Sequence, residues 1–208
     1  MNDEREYRSF SLIQRAKTEE PEYIVEGYAS TFERYVLWTE HYDEGDVTYY
    51  EEIDPHAFDE ADMSDCVFRV DHGGSVYARV SAGTVSLDID EKGLHNVTDL
   101  SRTAKSRELY EDIKAGNYPQ MSFAFTVEKE HYDSFTHTRF IDRIAKVFDI
   151  APVTWPANPT TSLSARSKEF LDGVIEKERA ERLEKERRAK ALERISKALH
   201  KEVSEDEA

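Results

Sequence analysis

Short runs of β-branched and aromatic residues, separated by turn-forming residues, follow one another through most of the chain. Residues of these types at this spacing favour β-strands. The runs predict strands at residues 23–29, 66–70, 84–89, 94–100, 121–127 and 139–144. Asp90-Glu91-Lys92-Gly93 predicts a hairpin turn between the third and the fourth strand. Because many short strands with few helices are typical of barrels, we expect a mainly β domain that forms a closed or nearly closed barrel.

Two helices are expected within this part of the chain. In residues 104–115, Leu109 and Ile113 lie four positions apart and share a helix face, and Gly116 follows where a C-terminal cap belongs. A second, shorter helix is expected after Asp54-Pro55, because proline is well suited to the first turn of a helix.

Residues 167–208 differ in composition from the rest of the chain, with no proline and a single glycine, Gly173. Oppositely charged residues stand four positions apart in three pairs: Glu178 with Arg182, Glu181 with Lys185, and Glu184 with Arg188. Each such pair stabilises a helix by about 0.2–0.5 kcal/mol, so the pattern predicts a long solvated helix. Leu192, Ile195 and Leu199 add one apolar stripe, which is too short to assign a coiled coil. We expect a domain at residues 1–160 and a linker with a charged helical tail at residues 161–208.

The charge is concentrated in the first part of the chain. Residues 1–166 contain 17 Lys and Arg against 32 Asp and Glu, a net charge of −15. Such an acidic body repels phosphate backbones, so we expect no nucleic-acid partner and favour basic peptide segments instead. The single cysteine, Cys66, excludes an internal disulfide and a cysteine-based zinc site, and we expect it to be buried as a small apolar residue.

No stretch of about 18 apolar residues is present, and the segment after Met1 lacks the apolar region of a signal peptide. We therefore expect neither membrane insertion nor export, and a cytoplasmic location.

Three polar residues stand in segments suited to nucleophilic hydrolysis: His72 before a Gly-Gly pair, Ser122 in one predicted strand, and Asp149 after Val-Phe. A serine hydroxyl is a weak nucleophile, which needs an imidazole to accept its proton and a third group to orient that imidazole. The order His, Ser, acid is neither that of chymotrypsin-like enzymes nor that of α/β-hydrolases, and the G-x-S-x-G elbow is missing.

Six segments in order resemble the prohead (capsid maturation) proteases of tailed bacteriophages of the HK97 type, which are similar in fold to the herpesvirus assemblins. The resemblance extends over roughly residues 8–166. The segments are residues 24–32 (IVEGYASTF), 53–58 (IDPHAF), 70–74 (VDHGG), 90–94 (DEKGL), 121–123 (MSF) and 153–159 (VTWPANP).

This resemblance implies an assemblin-like β-barrel protease domain that needs no cofactor. It also implies that His72 is the general base, Ser122 the nucleophile and Asp149 the third member of a triad. Family members often have Glu-Val-Ser where this chain has Asp149-Ile150-Ala151, so the third member is the least constrained. Asp71, Asp142 and His95 remain alternatives for that position.

The resemblance further implies a serine endopeptidase that is packaged in the procapsid, within the host bacterial cytoplasm. Such a protease digests the scaffold protein or the scaffolding segment of the capsid precursor, and also itself. The linker at residues 159–167 is rich in small and hydroxyl residues and is an accessible place for self-cleavage. The tail would dock on helical scaffold, or is a charged extension without a function of its own. Self-association as an assemblin-like dimer has no sequence signature.

Two other functions are compatible with the same residues. The first is a catalytically silent scaffold or assembly protein that keeps the fold, and the second is an esterase that uses the same triad. Cleavage of capsid precursor distinguishes the protease from both.

Two further groups of residues are functional candidates. Arg143 and Arg166 are possible contributors to an oxyanion site, although surface charges are the simpler interpretation. His131 and His137 flank Asp133, and His41 stands near Asp43, as in some metal sites. The stretch 130–138 is better interpreted as the polar tip of a hairpin, so we expect no metal.

Overall fold

The computed structural model describes residues 5–11, 23–42, 45–154 and 165–206, with side chains described except at 10–11, 165–171 and 193–206. These residues form ten β-strands and two α-helices. The strands are β1 (Glu6–Ser11), β2 (Ile24–Thr31), β3 (Tyr35–Tyr42), β4 (Gly45–Ile53), β5 (Val67–Arg69), β6 (Val76–Arg79), β7 (Val85–Ile89), β8 (Gly93–Asp99), β9 (Gln120–Asp133) and β10 (Thr138–Val153). The helices are α1 (Ala104–Lys114) and α2 (Ala165–Asp206), and a short 3₁₀ turn covers Val80–Ala82.

Seven strands form the larger sheet, which is built on the long antiparallel hairpin of β9 and β10. The strand order is β1-β9-β10-β4-β3. On the side away from β9, β10 pairs in parallel with β4 through residues 138–141 and with β5 through residues 149–150. β5 in turn pairs with β6. The sheet therefore branches at β10, and one branch brings β5 beside the C-terminal end of that strand.

A smaller antiparallel sheet contains β2, β8 and β7 in that order. As predicted, β7 and β8 are joined by a turn at residues 90–93, where the Asp90 carboxylate accepts hydrogen bonds from the backbone N–H groups of Lys92 and Gly93. A Cβ atom on Gly93 would lie 2.1 Å from the carbonyl oxygen of Ser30. Only glycine therefore permits this close approach of β8 to β2.

The apolar core is shared by both sheets and by α1. Its most deeply buried members include Ala29 of β2, Leu94 of β8, Phe123 of β9, Ile150 of β10 and Ile113 of α1. The predicted helix at residues 104–115 is confirmed within one residue as α1. The Thr103 side chain accepts a hydrogen bond from Ser106 N at its start, and Gly116 has a φ of +85° after its end.

The mainly β class is confirmed, but the described strands form no closed barrel, and the assemblin-like barrel is not confirmed. β1 and β3 lie at opposite ends of the strand order of the larger sheet, and β2, β8 and β7 pair only among themselves. Closure requires hydrogen bonds between edge strands. On the side away from β9, β10 pairs with β4 along one part of its length and with β5 along another. The larger sheet therefore branches at β10, whereas in a barrel each strand would pair with a single next strand.

The short helix expected after Asp54-Pro55 is replaced by consecutive turns. Hydrogen bonds run from Ala57 N to Asp54 O, from Asp59 N to His56 O and from Ala61 N to Phe58 O. The carbonyl of Ala57 instead accepts a hydrogen bond from Ile144 N of β10. Tertiary pairing with β10 thus uses a carbonyl that a helix would need for itself.

Three strands of the larger sheet, β1, β4 and β10, contribute charged side chains to a buried cluster. Glu6, Arg8, Glu51 and Arg139 are all at most 5% exposed. Arg139 Nη1 lies 2.8 Å from Glu6 Oε2 and 2.7 Å from Glu51 Oε2, and Arg8 Nη2 lies 2.8 Å from each of the same two oxygens. Tyr35 also contacts Glu51. This mutual pairing compensates the cost of removing the charges from water.

The electrostatic consequences follow from that pairing. Burial on its own disfavours the charged form of Glu51, but Arg8 and Arg139 lower the pKa of its carboxyl. Burial likewise opposes the charge on Arg139, while Glu51 and Glu6 raise the pKa of its guanidinium. The cluster is therefore held in its ionised form.

Residues 1–164 and 165–208 form two compact units. In the second unit, α2 exposes Leu183 and Leu192, and Lys190 pairs with Glu186 one turn earlier. The predicted linker at residues 159–167 falls largely outside the described residues. None of the described helices is long and apolar enough to cross a membrane.

Candidate active site

Ser122 lies near the start of β9, in a stretch that is buried on both faces of the strand. Residues 121–127 are all buried. Ser122 is paired with Ser9 of β1 on one side and with Ala151 of β10 on the other. Cross-strand partners in an antiparallel sheet point to the same face, so small side chains surround the serine hydroxyl on its face of the sheet.

Asp149 reaches this face because of an irregularity in β10. Val147 is paired with Phe125 and Asp149 with Ala124, so Phe148 is an additional residue in the ladder. In a regular ladder Asp149 would be paired with Phe123 and would point into the apolar core. The bulge at Phe148 instead turns the carboxylate to the face that carries Ser122.

His72 follows β5 in a tight turn. Gly73 N donates a hydrogen bond to Val70 O, and the two central residues, Asp71 and His72, have φ angles of +45° and +53°. Positive φ at both central positions is characteristic of a type I′ turn, and it is unusual for residues other than glycine, although Asp and His are among the more tolerant. The imidazole is thus presented by strained backbone, which neighbouring groups must hold in place.

Two sets of hydrogen bonds hold this turn. Asp71 accepts from the backbone N–H and the hydroxyl of Thr154, directly after β10, and Asp71 N donates to Pro152 O. Arg69 donates from Nε to Gly73 O and from Nη2 to Gly74 O. The first set ties the histidine turn to the strand that carries Asp149.

The structure brings His72, Ser122 and Asp149 together. His72 Nδ1 lies 2.6 Å from Asp149 Oδ1, and His72 Nε2 lies 2.7 Å from Ser122 Oγ. An ionised carboxylate only accepts hydrogen bonds, so Nδ1 carries the proton and the lone pair of Nε2 faces the serine hydroxyl. This is the arrangement in which an imidazole can take a proton from serine.

Of the three side chains, that of His72 has the most access to solvent. Ser122 is fully buried, the Asp149 side chain is 2% exposed and that of His72 is 16% exposed. Cys66, also fully buried, lies near Asp149. Burial and the Asp149 charge raise the pKa of the Cys66 thiol to about 12, so this cysteine is not a nucleophile.

The other candidates predicted from the sequence have different partners wherever their side chains are described. Asp71 is engaged with Thr154, and Asp142 binds His131 Nδ1 at 2.8 Å. His95 lies 3.2 Å from Glu26 in the smaller sheet. Arg143 is half-exposed and pairs with glutamates at the surface, whereas the side chain of Arg166 lies outside the described residues.

No group of three or more metal-ligating side chains occurs among the described residues. His137 lies 3.2 Å from the hydroxyl of Tyr132, and both belong to the end of the β9–β10 hairpin. The hairpin interpretation of residues 130–138 is confirmed, because β9 ends at Asp133 and β10 begins at Thr138. His41 pairs with Asp46, and Asp43 lies outside the described residues.

Sequence reasoning missed three features that build the site. It missed the pairing of β1 with β9, the contact of the Tyr7 ring with His72, and the bulge at Phe148. No local sequence signal marks the bulge, because consecutive apolar residues also occur at Phe140-Ile141 and Ile150-Ala151 of the same strand. The other two depend on pairing between distant segments and leave no local pattern.

The family model described as caudovirus prohead serine protease matches residues 10–173, which include the histidine turn, Ser122 and Asp149. Neither a curated protein nor a solved structure matches the chain. A match over this much of the sequence shows that the chain belongs to the caudovirus prohead serine protease family, the serine proteases of phage capsid maturation.

Proposed function

We propose that this protein is a serine endopeptidase in which Ser122 is the nucleophile, His72 the general base and Asp149 the residue that orients His72. The observation that carries the proposal is the continuous chain of hydrogen bonds from the Asp149 carboxylate through both imidazole nitrogens to Ser122 Oγ. Family membership supports the reaction class.

The mechanism follows from the positions of the protons. Ser122 Oγ attacks the scissile carbonyl carbon while His72 Nε2 accepts the hydroxyl proton, and Asp149 stabilises the resulting imidazolium. His72 then returns the proton to the nitrogen of the scissile bond. That bond breaks, the amine leaves, and the acyl group stays on Ser122 as an acyl-enzyme. Water, deprotonated by the same nitrogen, then attacks the acyl carbon. The bond to Ser122 Oγ breaks, His72 returns the proton to that oxygen, and the acyl group leaves as a carboxylic acid.

We infer that the substrate is the scaffold protein or the scaffolding segment of the capsid precursor, cut inside the procapsid. Family membership supports a capsid precursor as partner. The excess of Asp and Glu in residues 1–166 supports preference for basic segments of that partner, because charges of opposite sign favour encounter.

The test is co-expression of the protein with its capsid precursor, followed by intact mass measurement of both. We expect wild type to shorten the precursor and Ser122→Ala to leave it whole. Ser134→Ala, a change at an exposed serine in the turn between β9 and β10, is the matched control and should behave as wild type. An uncut precursor with wild type, together with normal assembly, would favour the silent scaffold protein. Turnover of small esters without precursor cleavage would favour the esterase.

We further propose that the protein removes its own charged helical tail by cutting in the linker at residues 159–167. The composition of this linker, with Pro159 followed by hydroxyl and small residues, supports an accessible cleavage site. The mass of purified wild-type protein, followed over time beside Ser122→Ala, tests this step. A wild-type chain that keeps its full mass while it cleaves precursor would rule out self-cleavage.

A further inference from the structure

The N-terminal strand β1 lies beside the strand that carries Ser122. In the antiparallel ladder of β1 and β9, Ser9 is opposite Ser122 and Tyr7 is opposite Ala124. Residues paired across such a ladder point to the same face, so Tyr7 lies on the face of the sheet that carries the hydroxyl of Ser122. The methyl group of Ala124 leaves space above it for a large ring.

The Tyr7 ring fills the space against the histidine. Its centroid lies 4.5 Å from that of the His72 ring, with an angle of 61° between the planes. This edge-to-face geometry is the favoured contact between aromatic rings. Hydrogen bonds to Asp149 and Ser122 hold two edge atoms of the imidazole, whereas Tyr7 restricts rotation of the ring as a whole.

This restriction matters because the backbone of His72 is strained. The contacts of Asp71 and Arg69 hold the backbone of the turn, but they do not contact the imidazole. Tyr7 is a packing partner of that ring contributed by a segment distant in the sequence.

The opposite face of β1 fixes the position of Tyr7. Glu6 and Arg8, its neighbours in the strand, point the other way and enter the buried charged cluster with Glu51 and Arg139. Arg8 Nη1 also donates a hydrogen bond to Tyr7 O at 2.8 Å. A sheet-edge strand of six residues is thus anchored by charges that a shift of one residue would leave unpaired.

We propose that Tyr7 is a positioning residue for His72, which makes β1 a working part of the active site. This inference rests on the proposed function, because it assigns Tyr7 to the support of the general base. The family match begins at residue 10, so Tyr7 lies outside the matched segment.

The test compares Tyr7→Ala, Tyr7→Leu and Tyr7→Phe in the full chain. Tyr28→Ala is the matched control, because it also removes a tyrosine ring that contacts a histidine. The ring centroids of Tyr28 and His95 lie 5.0 Å apart in the smaller sheet. The rate at which a fluorophosphonate labels Ser122 is measured as a function of its concentration. This gives a maximal labelling rate and the fluorophosphonate concentration at half of that rate, the half-saturating concentration. Loss of the ring should lower the maximal rate by about 10-fold to 100-fold, as small misplacements of catalytic groups do, with the half-saturating concentration unchanged. Tyr7→Phe and Tyr28→Ala should stay within about twofold of wild type.

A second readout does not depend on turnover. The proton shared by His72 Nδ1 and Asp149 should give a strongly downfield resonance in the proton NMR spectrum, which His72→Ala removes. We expect this resonance to broaden or disappear in Tyr7→Ala and Tyr7→Leu and to persist in Tyr7→Phe and Tyr28→Ala. Tyr7→Leu retains apolar volume, so it keeps the test valid where Tyr7→Ala unfolds.

The outcomes separate the two proposals. Wild-type labelling that all three Tyr7 variants reproduce, with the resonance intact, would overturn the positioning role and leave the protease proposal standing. A raised half-saturating concentration at an unchanged maximal rate would also overturn it, because Tyr7 would then contact substrate. A wild-type protein that resists labelling, but whose resonance requires the Tyr7 ring, would contradict the protease proposal and support the positioning of His72.

Discussion

Asp71 and Thr154 are joined by two hydrogen bonds, 2.9 Å from Thr154 N to Oδ1 and 2.7 Å from Thr154 Oγ1 to Oδ2. Asp71 directly precedes His72 in the sequence, and Thr154 directly follows β10, the strand that carries Asp149. The pair fixes the distance between the imidazole and the carboxylate through the backbone. It also explains why Asp71, an alternative third member by sequence, supports the turn and does not contact the ring.

Loss of the Thr154 hydroxyl should slow catalysis without unfolding the protein. Thr154→Val keeps the shape of the side chain but removes one of the two hydrogen bonds to Asp71, worth about 1 kcal/mol. We expect the rate of Ser122 labelling to fall by about threefold to tenfold, while Thr154→Ser retains the wild-type rate. Equal rates in Thr154→Val and wild type would show that the backbone hydrogen bond alone holds the turn.

The three triad positions should differ in their sensitivity to substitution. Ser122→Ala and His72→Ala should abolish covalent labelling, because they remove the nucleophile and the base. Asp149→Asn keeps the shape but favours the wrong imidazole tautomer, so a loss of about 10³-fold to 10⁴-fold in precursor cleavage is expected. Asp142→Asn, which alters the acid paired with His131, is the control. A normal rate in Asp149→Asn with a large loss in Asp142→Asn would reassign the third member.

The buried thiol of Cys66 should react slowly in the folded protein and make the stability depend on alkaline pH. An unfolded thiol has a pKa near 8.5, against about 12 in the fold. Because the fold favours the protonated thiol, its stabilising contribution is complete below about pH 8.5 and is lost as the pH rises toward 12.

The measurement is urea unfolding of wild type and Cys66→Ala between pH 7 and pH 10. The unfolding free energy of wild type should fall relative to that of Cys66→Ala above about pH 8.5, by at most about 1.4 kcal/mol per pH unit. A thiol-reactive dye at pH 8 should label wild type quickly only in urea. Rapid labelling of the native protein would contradict the burial of Cys66.

Breaking the buried charged cluster should destabilise the first compact unit strongly. Arg139→Met removes one of the two guanidinium groups that pair with Glu6 and Glu51 and leaves Arg8 as the single cation for both carboxylates, at a cost of about 3–5 kcal/mol. Arg102→Met is the control, since Arg102 forms an exposed pair with Asp99 and should change stability by about 0.5 kcal/mol or less. Urea unfolding followed by far-ultraviolet circular dichroism measures both. Similar midpoints for the two variants would show that the cluster contributes little.

The sequence predicted elements whose signals are local. β2, β7, β8 and α1 agree with their expected ranges within a few residues, because apolar alternation and capping residues act over one element. β1, β3, β4 and β6 were not predicted. β1 contains Glu6 and Arg8, which are charged yet buried, and local patterns assign such residues to the surface.

For the candidate site, too, the sequence predicted which residues take part but not how they come together. Motif order singled out His72, Ser122 and Asp149, but their approach depends on the register of β9 with β10 and on one additional residue at Phe148. The branching of the larger sheet at β10, which replaces the expected barrel, likewise depends on which distant strands pair. These features arise from tertiary pairing, which a one-dimensional pattern does not record.

Ser122 has no surface that water can reach in the described conformation. A carbonyl carbon must approach its hydroxyl oxygen to within about 3–3.5 Å before it can react, so a substrate cannot be cut by this conformation as it stands. Chain that covers the serine has to move first. The rate at which a fluorophosphonate or a substrate reaches the proposed nucleophile would then include the rate of this opening, so that access to Ser122, as well as the alignment of the three side chains, would limit the reaction.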